Sequence, residues 1–210
     1  MAAYDYKREQ KELYRPGGKP EIVMVPAMHF AAVEGMGDPN EEDGAYGAAL
    51  SVLYAVAYTV KMSPKAGRFI DGYFPYVVPP LEGLWWMADG AGGVDCGNKS
   101  GFHWISMLRL PDFVTEGDFA WACGEAARKK GLDTSCARFF TLDEGLCVQC
   151  LHTGSYDDEP ATVAKMDALL LREGYRKDIS QTRRHHEIYL SDPRRTAPEK
   201  RRTVIRHPIA

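Results

Sequence analysis

The stretch "HHEIYLSDPRR", residues 185–195, reads as a β-strand running into a turn. Strand alternation puts Ile188 and Leu190 on one side and Glu187 and Tyr189 on the other. With Ile188 and Leu190 turned to the core, Glu187 faces water if its side of the sheet is open. If both faces are covered, Glu187 is a carboxylate held inside the protein. An ionised carboxylate in apolar surroundings is costly unless paired. The first arrangement is an ordinary surface charge, and the second marks a functional candidate.

Working outward, the pattern around this strand occurs twice. In the first part, "EIVMVPAMHFAAVEG" (21–35) reads as a strand interrupted by Pro26 and is followed by the acidic turn "MGDPNEEDG". The next segment is a helix, apolar at Ala49, Val52, Leu53, Val56 and Val60. "YFPYVVPPLEGLWWMA" (73–88) reads as a strand kinked by Pro79 and Pro80, "DGAGGVDCGNKSG" (89–101) as a hairpin-like loop, and "FHWISMLRLPD" (102–112) as another strand. A connector helix follows, with Thr115 as its N-cap and Gly131 as its stop. The order then recurs: strand "EGLCVQCLHTG", acidic turn "SYDDEP", a helix with Pro160 at its start and Gly174 at its end, strand "HHEIYLSD" and last strand "KRRTVIRHPI". Each part contains a strand with Glu ahead of aromatic residues (Glu82, Glu187) and closes on Arg-x-Pro (Arg109, Arg206).

These elements predict an α+β fold of two strand–helix–strand–strand units related by a pseudo-twofold axis. Its antiparallel-rich sheet carries helices on one side, with a central cleft where the units meet. The expected organisation of 1–210 is a single domain: an N-terminal extension over 1–20 with a short helix in "YKREQKELY", a first half over 21–111, a connector helix over 112–138 and a second half over 139–210.

The 210 residues are 45% hydrophobic, enough for a core, and 26% charged with a net charge of −3. That balance argues against nucleic acid as a partner. The basic residues after Arg194 read as a solvated strand edge. The start "MAAYDYKREQKELY" has no apolar run, and the longest apolar stretch, 48–60, is too short to span a bilayer. No membrane partner and a cytoplasmic location are expected; oligomeric state stays open. Cys147 and Cys150 have the spacing of a metal or redox pair, but within a strand they face opposite sides. They are expected to be reduced and unlinked. His185 and His186 diverge in the same way, so neither a metal site nor any cofactor is expected. No phosphate-binding glycine motif is present either.

Six stretches, "GDPN" (37–40), "LYAVAYTVK" (53–61), "PLEGLWW" (80–86), "MLRLPDFVT" (107–115), "VQCLHTGSYDDEP" (148–160) and "HHEIYLSDPRR", resemble the GyrI-like small-molecule-binding domains. The likeness is to a stand-alone branch related to the effector domains of regulators such as BmrR and Rob. It covers nearly the whole chain and implies the duplicated fold reached above. It also implies that Glu187 sits in a central cleft lined with aromatic residues. In place of the family's Gly-Pro-Tyr turn, the chain has Gly-Ser-Tyr, with Ser155 before Tyr156.

A carboxylate framed by aromatic faces suits a flat, hydrophobic aromatic ligand, cationic ones included, since cation–π contact contributes roughly 0.5 to 2 kcal/mol. The expected ligand-binding set is Trp85, Trp86, Tyr189, Tyr54, Tyr58 and Trp104. Trp85 and Trp86 point to opposite faces, so only one of them can meet the cleft while the other packs elsewhere. Tyr54 and Tyr58 also fit plain core packing with their hydroxyls at the rim. With Glu187 as general base and Tyr156 orienting water or an oxyanion, the same pocket becomes a cofactor-independent hydrolase, worth about 10²- to 10⁴-fold. The resemblance implies one such substrate, the strained cyclopropane of a DNA-alkylating dienone. A sequestering multidrug binder and a gyrase-inhibitor-like protein partner are the alternatives.

Overall fold

A computed structural model of the chain describes residues 2–87 and 98–210. Two helical turns, α1 (Tyr6–Glu9) and α2 (Lys11–Tyr14), open it. The strands β1 (Glu21–Val25) and β2 (Met28–Met36), helix α3 (Ala45–Lys61), and strands β3 (Leu81–Met87) and β4 (Phe102–Arg109) follow. After helix α4 (Glu116–Lys130) come β5 (Arg138–Leu142), β6 (Gly145–Thr153), α5 (Glu159–Glu173), β7 (His185–Tyr189) and β8 (Arg202–Pro208). Of the loop expected over 89–101, residues 89–97 lie outside the described residues.

Local chemistry sets the helix ends. Thr115 Oγ1 accepts from the Asp118 backbone N–H at 3.2 Å, and the Asp118 carboxylate accepts from the Thr115 backbone N–H, so both orphan donors are satisfied. Gly131 (φ 65°) and Gly174 (φ 79°) end α4 and α5 in the left-handed conformation. The apolar stripe of α3 is buried at each position that the spacing indicated.

All eight strands form one antiparallel sheet, in the order β1-β6-β8-β7-β3-β4-β2-β5. Exchanging β1 with β5, β2 with β6, β3 with β7 and β4 with β8 reproduces that order in reverse. The duplication is therefore real, and its axis passes between β3 and β7. Each unit has one more strand than the sequence pattern indicated. β5 lies partly in the expected connector, and the first strands are exchanged: β1 pairs with β6 of the second unit and β5 with β2 of the first. Periodicity identifies a strand without naming its partner, which is why this exchange was not legible.

The long helices α3, α4 and α5 lie on one face. There α3 packs against β2 and β4, α4 packs against α3, and α5 packs against β6. The opposite face is covered by the N-terminal turns. Tyr6, Leu13 and Tyr14, with Tyr76 from the segment before β3, pack on Phe30, Leu84, Met107, Ile188 and Val204. The N-terminal extension is thus part of the core. Burial of its aromatic rings drives the docking, and polar groups beneath fix its place. Arg206 donates to the Leu13 carbonyl at 2.7 Å and Gln149 to the Glu12 carbonyl at 2.6 Å, satisfying carbonyls near the end of α2.

Those groups belong to a buried ionic network. His186 lies 3.0 Å from both oxygens of Glu144 and 3.0 Å from Glu82 Oε2, and Arg206 donates to Glu144 Oε2 at 3.1 Å. Tyr14 donates its hydroxyl to Glu82 Oε1 at 3.2 Å. Burial pushes the Glu144 carboxyl up, but the His186 and Arg206 charges outweigh it and hold it down to about 2. Burial likewise opposes charge on His186, and Glu144 followed by Glu82 holds it at about 9. This network pins β7, β8 and β3, the strands on which the site is built, from the side away from the cleft.

Cys147 and Cys150 face opposite sides: Cys147 packs with the N-terminal core and Cys150 under α5. Burial pushes the Cys147 thiol up to about 12, which removes its nucleophilic form near neutral pH. Peptide mapping of the unreduced protein should therefore find Cys147 and Cys150 both as free thiols. A Cys147–Cys150 link would be one that this geometry forbids.

Candidate functional site

Because α3 and α5 pack on opposite halves of the sheet, the middle strands β3 and β7 are left between them on the helix face. A cavity of about 1060 Å³ opens there. Its floor is set by register: Gly83 pairs with Glu187, Trp85 with His185 and Leu81 with Tyr189, so these side chains share one face. Gly83 is required at its position. A Cβ there would lie 2.6 Å from Trp85 Nε1 and 3.2 Å from the Tyr189 hydroxyl. The missing side chain lets Trp85 Nε1 donate to Tyr189 Oη at 2.8 Å across the floor.

Glu187 is 8% exposed, which answers the question raised by its strand: both faces are covered and the carboxylate is inside. His185 Nε2 lies 3.0 Å from Glu187 Oε1, and His185 Nδ1 lies 2.7 Å from His207 Nε2. Burial, and then the neighbouring His185, hold His207 well below the ordinary histidine range, so it stays neutral. A carboxylate only accepts, so His185 Nε2–H donates to ionised Glu187, and His185 and His207 share a second hydrogen bond between Nδ1 and Nε2.

Glu159, the first residue of α5, completes the group. One ligand-capable atom each from Glu159, His185 and Glu187 all lie within 4.8 Å of one another. Burial, followed by the charges of Glu187 and Asp157, pushes the Glu159 carboxyl well above its ordinary value. Among the described residues these three are the only His, Cys or carboxylate cluster with metal-holding spacing.

The walls are aromatic. Tyr46 of α3 lies 5.6 Å from Trp85, and Tyr156 meets Tyr189 edge-on at 6.0 Å. Burial, then Glu187, raises the Tyr156 hydroxyl to about 12; Tyr189 is pushed well above its usual value by the same causes. Both phenols stay protonated and can donate. At the mouth, Arg201 lies over the Tyr156 ring at 5.3 Å. Ser155 Oγ accepts from the Asp157 backbone N–H at 3.4 Å in the turn that carries Tyr156.

Of the residues expected from sequence, Glu187, Tyr156, Trp85, Tyr189 and Tyr54 line this one cavity. Three others do not. Trp86 points to the opposite face, under Arg184 (4.4 Å to its ring) and stacked on His103. Trp104 is on the helix face but 1% exposed, seated on Gly35 and covered edge-on by Tyr46. Tyr58, one turn beyond Tyr54, is 49% exposed and outside the cavity. The expected match of Glu82 with Glu187 also fails. Glu82 pairs with Ile188 and lies in the ionic network on the far face, because a one-residue offset exchanges sheet faces.

Sequence reasoning missed His185, Glu159, Tyr46 and His207. A signal existed for His185, which stands two residues before Glu187 and so shares its face. Gly83, inside a strand, signalled a close approach. Nothing local distinguished Glu159 from its acidic neighbours.

Comparison with known proteins agrees with this architecture. A GyrI-like small-molecule-binding domain model matches residues 114–210. A hydrolase from Listeria innocua is 44% identical, with 99% of this chain and 100% of that one covered at a TM-score of 0.90. An uncharacterized conserved protein from the same organism is 46% identical over the same shares, at 0.91. The EcmrR C-terminal domain, 10% identical, covers 91% of this chain and 97% of its own at 0.54, and shares the fold. No curated protein sequence matches the chain. No described helix is long and apolar enough to cross a membrane. With the duplicated sheet, its interior cavity and these relatives together, the chain belongs to the GyrI-like small-molecule-binding domain family.

Proposed function

We propose that the cavity takes up hydrophobic aromatic molecules and hydrolyses those that carry a strained electrophile, with Glu187 as general base and no cofactor. The observation that carries this reading is a buried carboxylate, hydrogen-bonded to a histidine pair, on the floor of a cavity walled by Trp85, Tyr46, Tyr156 and Tyr189. The likeness to Listeria innocua hydrolases over their whole length supports it.

The substrate that fits best is a cyclopropane conjugated to a dienone, the strained ring of DNA-alkylating compounds. Its planar body stacks on the aromatic walls, and its ring carbon meets a water held by Glu187. Glu187 takes one proton as the water oxygen bonds to that carbon. The breaking C–C bond sends its electron pair into the dienone, which becomes a phenolate, accepts a hydrogen bond from a tyrosine hydroxyl and takes its proton from solvent. Ring strain and aromatisation supply the driving force, so one positioned base suffices. We place this activity in the cytoplasm, acting on free small molecules.

Incubation of the protein with a cyclopropane-bearing alkylator, followed by mass analysis, tests this directly. A water-added product with turnover is expected. Unchanged compound in a stoichiometric complex would reduce the protein to a sequestering binder.

A further inference from the structure

Glu159 has no part in the reaction just described, yet it is built into the same floor. It is 6% exposed and lines the cavity, and its Oε2 lies 3.9 Å from His185 Nε2. Its Oε1 has no hydrogen-bond partner among the described residues. Two carboxyls this close, sharing only His185 and with no arginine or lysine bonded to either among the described residues, favour a proton held between them over two free charges. The start of a helix favours an anion, but burial and the Glu187 charge outweigh that, so Glu159 is the member that keeps a proton.

A base and an acid side by side are more than a cyclopropane dienone needs, because its electron pair leaves to the far end of a conjugated ring. They suit a ring whose leaving atom is bonded to the attacked carbon. In a near-attack geometry the entering oxygen stands roughly 3–3.5 Å from that carbon, and the leaving oxygen is one bond length beyond. Carboxyl oxygens no more than 4.8 Å apart can hydrogen-bond both at once. We infer that this cavity also hydrolyses aryl epoxides, with Glu187 as base and Glu159 as the acid on the ring oxygen. The inference rests on reading the cavity as a hydrolytic site.

In this reaction Glu187 removes a water proton while the water oxygen bonds to one ring carbon. The C–O bond of that carbon breaks, its electron pair goes to the ring oxygen, and Glu159 protonates that oxygen. The product is a vicinal diol, and no oxidant, reductant or metal takes part. A proton then returns from Glu187 to Glu159, directly across the pair or by way of His185, which stands 3.0 Å from one and 3.9 Å from the other. Trp85, Tyr46 and Tyr156 select aromatic epoxides over small aliphatic ones.

The test uses the full chain, trans-stilbene oxide in oxygen-labelled water, and the cyclopropane alkylator in parallel. Labelled diol is expected from the wild type. In Glu159→Gln, the ratio of epoxide to cyclopropane turnover should fall by about 10²-fold, the contribution of a general acid, with a melting temperature no lower than wild type. Glu159→Asp, which keeps a proton donor, should recover part of that ratio. Cyclopropane opening without any diol would overturn the inference and leave the hydrolytic reading standing. No turnover of either substrate would end both. An unchanged ratio in Glu159→Gln would give Glu159 a structural role only. Epoxide turnover that is lost with EDTA and restored by zinc would assign the three groups to a cation instead.

Discussion

Replacing Glu187 by Gln should lower turnover of a strained-ring substrate by about 10²- to 10⁴-fold, the scale of a general base, while binding of a neutral aromatic ligand changes little. Gln keeps the volume and a hydrogen-bond acceptor but cannot take a proton from water. The His185 contact at 3.0 Å survives as a neutral hydrogen bond, so the floor keeps its shape. A buried charge no longer has to be accommodated, and Glu159 no longer has to hold its proton against it, so the melting temperature should hold or rise. That separates loss of chemistry from loss of fold. If the cavity is instead a binding site for cations, E187Q should weaken a cationic dye by roughly 1.5 to 3 kcal/mol, the scale of a hydrogen bond to a charged group, and spare neutral ligands. Turnover and cation affinity both matching wild type would show that Glu187 is not the centre of the site.

The second large effect is on stability, from the far face of the same strand. His186→Leu removes the shared partner of Glu82 and Glu144 in the ionic network. Breaking a buried ion pair costs roughly 3–5 kcal/mol. A domain of this size loses about 2–4 °C of melting temperature per kcal/mol, so the variant should melt some 6–20 °C lower near pH 6.

The pH dependence carries the sharper test. His186 is held at about 9 against 6.5 in the unfolded chain, so it stabilises fully below pH 6.5 and loses that contribution as pH rises through 9. Glu144 is held at about 2, so its share is present above pH 4.5 and is lost as pH falls toward 2. Calorimetry between pH 6.5 and 9 should therefore show the gap between wild type and variant closing. Glu159 and His207 also titrate differently on folding, but they lie on the helix face and contribute alike to both proteins. A gap that stays constant across this range would mean that His186 is not charged in the fold.

Function and stability thus share one strand. Residues 185, 187 and 189 serve the cavity, while 186 and 188 serve the ionic network and the N-terminal core. Substitutions in β7 should sort by parity: odd positions change chemistry with little loss of stability, and even positions do the reverse.

The sequence by itself determined the parts that depend on local periodicity and capping. Helix α3 followed from its apolar spacing, α4 from Thr115 and Gly131, α5 from Pro160 and Gly174, and the two faces of β7 from strict alternation. The duplication was legible because both units repeat the same local signals in the same order. Tertiary structure decided whatever depends on which surfaces meet. The exchange of β1 and β5 between units, and the docking of the N-terminal turns on the sheet, are pairing choices that no local pattern encodes. Register alone placed Glu82 on the far face from Glu187 and kept Trp85, but not Trp86, in the cavity. Glu159 was invisible for the same reason. Its chemistry comes from a carboxylate 28 residues away that only the packing of α5 against β6 of the same sheet brings within reach.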